Sequence, residues 1–361
     1  MFSTTIAAGS VLAKRVVEEP SKAKELFAAV PFLLLLANLI VLVPILVILG
    51  YTLGHVYPVL AAVEDPLPDY EAVSMADDDL PKDSADQART AVALPGKPIT
   101  ASIRRILRLL RSNGGGTWRG LLRGLGYAWV IGILTAVTTT FFALAPFIPI
   151  PVASLLALLA VAPLTTAWTH FIITPPPTAA TPRTLFNRIP PIRKVYAATW
   201  LPTTLLWLAT HAAVYLPLGL AALIGLQDSK NQPNQHQPIR ANASDAAKVI
   251  CVAGVSLGLQ ALLVIPAHAA LTRVQASLLP ADEPTIVPFD RSFAGLVEPE
   301  VVTGKGFATF GAAIKTVTLA SWGRIYLLRV KVFAFSFAVC SAMVAFIMLE
   351  MGLLTLVAGR K

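Results

Sequence analysis

The sequence contains few charged residues for its length. Only 14% of its 361 residues are charged, whereas 55% are hydrophobic and the mean hydropathy is +0.68. Soluble globular domains carry about 25% charged residues, so this composition excludes an ordinary soluble domain. Continuous apolar runs of about 20 residues predict membrane-spanning helices, because a helix satisfies its own backbone hydrogen bonds inside the hydrocarbon layer. These runs do not alternate between apolar and polar residues, which excludes a transmembrane β-barrel.

Cysteine and clustered metal ligands are also scarce. Cys251 and Cys340 both lie inside apolar runs, so we interpret them as buried small side chains rather than as ligands or a disulfide. No His, Cys and Asp residues occur at metal-binding spacing, and the sequence contains no nucleophile–base pair and no paired carboxylates. We therefore predict no metal, no cofactor and no enzymatic activity.

The charged residues that are present are mostly basic, with a net charge of +9. They lie in short loops and match no nucleic-acid-binding motif, so we predict no nucleic-acid partner. The segment 97–123 contains seven basic residues and no acid. Together with the loops after the third and fifth apolar runs, it holds most of the positive charge. The positive-inside tendency then places these loops on one side of a membrane, opposite to both termini.

Six apolar runs are long enough to cross a bilayer, and polar segments separate several of them. Residues 1–26 form a polar tail whose glutamates argue against a cleaved transit peptide. Residues 59–100 are acidic and rich in proline, and we predict a disordered insertion there, with a binding platform for a basic partner as the alternative. Residues 102–111 place apolar residues at helical spacing opposite four arginines, which predicts an amphipathic helix lying on the membrane surface.

A proline recurs near the end of every other apolar run. Pro163 lies 105 residues after Pro58, and Pro266 lies 103 residues after Pro163. A near-constant period of this kind predicts a threefold internal repeat. The predicted boundaries are 27–147 for the first repeat, 148–246 for the second repeat with its polar linker, and 247–361 for the third.

The residues around these prolines resemble the mitochondrial carrier family. In that family the first helix of each repeat ends in Pro-x-acid-x-x-base, often followed by x-Arg-x-Gln. The third repeat keeps Pro266, Arg273 and Gln275 at those offsets, while His268 and Leu271 replace the acid and the base. The acid and base positions hold Leu60 and Val63 in the first repeat and Thr165 and Trp168 in the second. Residues 113–120 match a second family signature, except that Asn113 replaces its acid.

The resemblance implies an all-α integral membrane protein with six transmembrane helices in three pseudo-repeats of about 100 residues. It also implies a role at a gate for the motif positions, which are Pro58, Pro163, Pro266, His268, Arg273 and Gln275. Carriers close one gate with ion pairs between the three motifs, because charges in a low dielectric are stable only when paired. Loss of all three pairs fits a protein that no longer cycles through a salt-bridged gate.

Two functions from different classes remain open at this stage. One is transport of a small, anionic metabolite through a central site. The other is a non-transporting, carrier-derived scaffold that binds protein or lipid partners. Both place a multi-pass protein in a mitochondrial membrane, inner or outer, with the lipid bilayer and either a solute or a membrane protein as partners.

Several single residues are candidate contacts for substrate or for lipid headgroups. An ionisable group inside a span is a functional candidate, because its burial is costly. The alternative interpretations are packing for the histidines, snorkelling to the interface for the basic residues, and contact with the interface for the acid. The candidates are Arg324, Arg329, Lys331, His211 and Glu350.

Overall fold

The computed structural model describes residues 20–65, 98–113, 118–176, 189–226, 243–280, 283–297 and 306–358. All regular secondary structure in these ranges is helical. Six helices are long and apolar enough to cross a membrane, which confirms the prediction of an all-α, multi-pass membrane protein. We number them as spans in chain order: span 1, Phe32–Val63; span 2, Leu125–Ala143; span 3, Ile150–Ile173; span 4, Ile192–Leu223; span 5, Ser244–Ser277; span 6, Leu319–Leu353.

The helices extend beyond several of these limits. The helix of span 1 begins at Pro20, inside the predicted polar tail, and the helix of span 6 runs over Leu319–Ala358. Shorter helices cover Ile103–Asn113 and Phe310–Lys315, and 3-10 turns cover Ile99–Ala101 and Trp118–Gly120. Parts of four predicted features lie outside the described residues: 1–19 of the tail, 66–97 of the insertion, 114–117 of the glycine-rich signature and 227–242 of the linker.

The prolines that mark the repeat lie inside helices rather than at helix ends. Span 1 continues past Pro58 to Val63, span 3 continues past Pro163, and span 5 continues past Pro266 to Ser277. A proline ring clashes with the carbonyl of the preceding turn and lacks an N–H. Spans 1 and 5 both widen into a π-helix just before the proline, over Ile48–Val56 and Gln260–Val264, which takes up this clash. Span 3 stays α-helical at Pro163.

The chain divides into two compact units. One comprises residues 1–52 and 332–361, and the other comprises residues 53–331. In the second unit, span 2 packs against span 3, span 3 against span 4, and span 4 against span 5. The carboxyl-terminal part of span 1, Tyr57–Val63, packs between spans 3 and 5. The ends of the odd-numbered spans therefore meet, which places the loops that follow them on the same side.

Large apolar side chains face outward along the spans. The exposed fraction is 64% for Trp129, 68% for Phe141 and 71% for Ile250. Soluble proteins rarely expose apolar surface on this scale, so these faces are suited to contact with lipid. Cys251 and Cys340 are also exposed on such faces, so the prediction that they are buried is wrong.

The start of the predicted disordered insertion is ordered. Residues 59–63 complete the helix of span 1 and are buried, and Glu64, which follows them, is only 2% exposed. On the far side of the segment, residues 98–101 are also described, and Thr100 is fully buried. The prediction of disorder is wrong for this part of the segment. Its first two acids, Glu64 and Asp65, follow directly after the last residue of a helix and do not belong to the insertion.

The predicted amphipathic helix forms, but its apolar edge faces protein. Ile106 and Leu110 in the helix Ile103–Asn113 are buried, and the helix packs on the 3-10 turns that precede and follow it. Arg104, Arg105 and Arg108 are exposed. The expectation that the apolar residues rest on the bilayer is therefore wrong for Ile106 and Leu110, since burial against the protein already removes them from water.

Candidate functional site

The carboxyl-terminal ends of spans 1 and 5 and the first turns of span 6 come together over small side chains. Ala62, Ala269 and Ile325 form a buried cluster, with Ile265 and Trp322 packed against it. Alanine at the contact lets two helix backbones approach closely, as small residues do in membrane helix pairs. This close approach brings backbone carbonyls and charged side chains of distant segments within bonding distance.

The first ion pair joins span 5 to the residues that follow span 1. Nη1 of Arg273 lies 2.7 Å from Oδ1 of Asp65, and Nη2 lies 3.4 Å from Oδ2. The guanidinium also donates to the carbonyl of Ala62 at 3.2 Å and to the hydroxyl of Thr316 at 3.2 Å. Arg273 is only 2% exposed, and its guanidinium carbon lies 5.1 Å from the ring centroid of Phe293. The two-pronged geometry and the cation–π contact make this a strongly fixed pair.

The second ion pair joins span 6 to the end of span 1. Nη1 of Arg324 lies 3.2 Å from Oε2 of Glu64, and Nη2 donates to the Glu64 carbonyl at 2.5 Å. The Glu64 carboxylate also accepts from the backbone N–H groups of Ile99 at 2.6 Å and Thr100 at 3.0 Å, and from the Thr100 hydroxyl. A buried carboxylate is stable only with such a full set of donors. We call Glu64, Asp65, Arg273 and Arg324 the ion-pair junction.

Span 3 is attached to the same region by an amide. The side chain of Gln275 accepts from the Thr169 hydroxyl at 2.8 Å and donates to the Thr165 hydroxyl at 3.3 Å. Nε2 of His170 donates to the Gln275 carbonyl at 2.8 Å. Hydrogen bonds thus hold span 3 in this region, whereas ion pairs join spans 1, 5 and 6.

The loop after span 5 covers the ion-pair junction. The N–H of Asp65 donates to the carbonyl of Pro288 at 2.9 Å, and the N–H of Asp290 donates to the Asp65 carboxylate at 3.0 Å. Phe293 is fully buried although its φ is +50°, a left-handed conformation that costs energy in a non-glycine residue. Its burial against Arg273 offsets that cost.

The carboxylate of Asp290 organises this loop. Partial burial raises the pKa of Asp290, but hydrogen bonds from Ser292 and Ala294 and the positive charge of Arg273 outweigh it, so the pKa lies below its usual value. The bonds run from the Ser292 hydroxyl at 2.6 Å and from the backbone N–H groups of Ser292 at 2.9 Å and Ala294 at 2.8 Å. These donors stabilise the charged form.

Comparison of the chain with protein-family models, with curated proteins and with solved structures found no match. The mitochondrial carrier resemblance and the three pseudo-repeats stay predictions.

The six motif positions differ in what they contact. Arg273 and Gln275 lie in the buried contact between span ends, where they join spans 1 and 3 to span 5. Two ion pairs nevertheless join these span ends, because Glu64 and Asp65 supply carboxylates from positions outside the motif. Pro58 and Pro163 are buried and Pro266 is half-buried, and none of them contributes a polar group. His268 is half-buried and is in neither ion pair.

Of the candidate contact residues, Arg324 belongs to the ion-pair junction, where it contacts Glu64. Lys331 is exposed and lies 3.5 Å from the carbonyl of Ala101. Nδ1 of His211 donates to the carbonyl of Trp207 at 2.9 Å, one turn earlier in its own helix, and its ring stacks between Trp207 and Tyr215. This geometry fits the packing interpretation of His211.

Glu350 lies in the first compact unit and has a specific partner there. The side-chain amide of Asn38 in span 1 donates to its carboxylate at 2.6 Å. Both side chains are half-buried. Because an unpaired carboxylate inside a span is costly, this bond fixes one face of span 1 against span 6.

Sequence reasoning missed Glu64 and Asp65. They were grouped with the many acids that follow them, although they come directly after the apolar residues 59–63. Their position at the end of a membrane helix was the available signal, because a carboxylate there needs a cation from a neighbouring helix.

Proposed function

We propose that this protein transports a small, anionic solute across a membrane, and that the ion-pair junction is the closure of its path on one side. The observation that carries this proposal is that four charged side chains, each at most 15% exposed, are paired where the ends of the odd-numbered spans meet. A mitochondrial membrane is the location that the carrier resemblance favours.

Paired charges at helix ends suit a closure that has to open and re-form. Separating two ions in a low dielectric costs several kcal/mol, so the closed state is well defined. Separation of these charges becomes favourable when water or a charged solute solvates them instead. A solute shifts the equilibrium between the closed and the open state only if it binds one of the two states more tightly. A seal made only of apolar side chains would lack this response.

The test is uptake by proteoliposomes that contain the purified full-length protein, screened with anionic, cationic and neutral metabolites. We expect saturable uptake or exchange of an anion. Neutralising one pair with Asp65→Asn and Arg273→Gln should reduce saturable uptake at least about tenfold, while Arg108→Gln, which removes an exposed charge of the same sign, should leave it unchanged.

A non-transporting scaffold is the second candidate. It is favoured by the dense bonding of the junction, in which Glu64 binds two backbone N–H groups, a hydroxyl and an arginine at once. Such bonding also suits a permanent clamp. Absence of uptake across the whole panel, from protein whose thermal unfolding shows a single cooperative transition, would exclude transport and leave the scaffold.

A further inference from the structure

The loop after span 5, residues 283–297, is bonded to the ends of two other spans. The carbonyl of Pro288 accepts from the N–H of Asp65, directly after span 1, at 2.9 Å. The N–H of Ile286 donates to the carbonyl of Ile173, the last residue of span 3, at 2.8 Å. Since the chain itself joins this loop to span 5, one segment ties together the ends of all three odd-numbered spans.

These bonds cross the places that have to separate if the closure opens. A path between the ends of the odd-numbered spans opens only when those ends move apart. Because the loop is bonded to two of them and continues from the third, it cannot stay in place while they separate. The backbone bonds contribute little net stability each, since water can replace them, so the loop can be released without unfolding the spans.

Phe293 anchors the loop beside the first ion pair. Its side chain is fully buried in a cluster with Ala198 of span 4 and with Ala270 and Val274 of span 5. Its ring centroid lies 5.1 Å from the guanidinium carbon of Arg273, the arginine of that ion pair. The anchor of the loop and the closure therefore share one arginine.

The turn that carries this anchor places three consecutive residues in the left-handed region. The φ angle is +50° at Phe293, +53° at Ala294 and +82° at Gly295. A Cβ is unfavourable there because it approaches the following carbonyl oxygen, and such conformations persist only where the surroundings hold them. Here they are held by the burial of Phe293 and by the Asp290 carboxylate, which accepts from the N–H groups of Ser292 and Ala294. The turn can therefore relax when the loop is released.

We propose that residues 283–297 form a latch, which holds the ion-pair junction closed and has to be released before the ends of spans 1, 3 and 5 separate. The inference rests on the proposed transport function, for which it identifies a conformational control of the closure. The bonds to spans 1 and 3 and the buried Phe293 favour the latched state. The left-handed backbone favours release, so the latch closes the junction without making the closure permanent.

The first experiment measures release of the latch and opening of the junction at two separate positions. Val287→Cys reports on the loop and Val63→Cys on the end of span 1, because both valines are at most 2% exposed. The full-length protein, with Cys251→Ala and Cys340→Ala, is labelled in nanodiscs with a water-soluble maleimide and without any ligand. The labelling rate follows the population in which the thiol is exposed by local opening.

Two neighbouring backbone changes should act in opposite directions. Gly295→Ala adds a Cβ that meets nothing within 4 Å apart from its chain neighbours, so it acts through backbone strain alone. It should raise the labelling rate at both cysteine positions together, by roughly fivefold to thirtyfold. Ala294→Gly removes a Cβ from the same turn and should lower both rates. The control Gly311→Ala, which also adds a Cβ in open space but in a helix, should raise neither.

Coupling between the two positions distinguishes a latch from a loop that opens by itself. Arg273→Gln breaks the first ion pair and should raise the labelling of Val287→Cys, because coupling between two sites is reciprocal. The control Arg329→Gln removes a half-buried arginine of span 6 that is in neither ion pair, and it should leave labelling unchanged.

Two results would overturn the proposal. One is that Gly295→Ala exposes Val287→Cys while Val63→Cys stays protected, since the loop would then open alone. The other is unchanged labelling at both positions. If Gly295→Ala folds poorly, Ala294→Gly decides the question, because a latch requires that it protect both cysteines.

Uptake by proteoliposomes, with the metabolite panel of the transport test, separates the latch from the transport proposal. We expect Gly295→Ala and Ala294→Gly to change the rate of anion uptake in opposite directions. Coupled labelling without uptake of any solute would support the latch and reject transport. Anion uptake at the same rate in the wild type and in both variants would support transport and reject the latch.

Discussion

The pair between Glu64 and Arg324 offers the sharpest test of the ion-pair junction. We consider Glu64→Gln, Arg324→Met and the double variant, which together form a thermodynamic cycle. Glutamine keeps the shape of the side chain and one acceptor, but it removes the charge that faces Arg324. Methionine keeps most of the arginine stem and leaves the Glu64 carboxylate with the backbone N–H groups of Ile99 and Thr100 and the Thr100 hydroxyl.

The expected magnitude follows from the geometry. At 3.2 Å between Nη1 and Oε2, Coulomb attraction amounts to roughly 5 kcal/mol at an effective dielectric constant of about 20. Desolvation of the two groups offsets part of it, whereas removal of one partner of a buried pair costs about 3–5 kcal/mol because the other charge stays buried. We therefore expect each single variant to lose about 3–5 kcal/mol, and the double variant to lose about 2–3 kcal/mol less than the sum.

The assay is unfolding in mixed micelles by increasing fractions of sodium dodecyl sulfate, followed by tryptophan fluorescence. The control cycle pairs Glu64→Gln with Arg108→Met, whose arginine is exposed, and should be additive to within about 0.5 kcal/mol. Additive losses in the Glu64 and Arg324 cycle would falsify the conclusion that these two charges stabilise each other.

Three further predictions concern the surroundings of the junction. The pKa of Asp290 is lowered in the folded protein, so its carboxylate stabilises the fold at neutral pH and loses this contribution as the pH falls through the folded pKa. Unfolding curves of the wild type and of Asp290→Asn at several pH values test this. The difference in stability between them should be constant above about pH 5 and shrink below about pH 4. Gln275→Leu should cost about 1–3 kcal/mol, because it removes the hydrogen bonds of the Gln275 amide with the Thr169 and Thr165 hydroxyls. In micelle unfolding, a loss that is smaller in the presence of Thr169→Val than in the wild type would support the bond between Gln275 and Thr169. Ile106→Ala should cost about 2–4 kcal/mol as a buried cavity, whereas Arg105→Ala, on the exposed face of the same helix, should change the thermal midpoint little; equal effects would contradict the packing of this helix on protein.

The sequence pointed to some residues of the contact between span ends and not to others. Arg273 and Gln275 were identified because a local motif marks them, and both lie where the span ends meet. Arg324 was identified as an ionisable residue in a span, but its partner was not, because nothing local links it to Glu64. Glu64 itself was assigned to the wrong segment, since composition averages over a window and hides the change from helix end to insertion. The sequence also did not predict that the helices continue past Pro58 and Pro266. Nothing in the local pattern reveals the π-helical turns that accommodate these two prolines.

The sequence by itself determined that this is a helical, multi-pass membrane protein with six spans. Hydropathy is a sum over neighbouring residues, so a run of apolar side chains is sufficient to predict a span wherever it packs. Only the tertiary structure decided which charges compensate each other. Asp65 and Arg273 are 208 residues apart, and Glu64 and Arg324 are 260 residues apart. Their pairing depends on how helices cross and rotate against one another, which is a property of packing rather than of any local pattern.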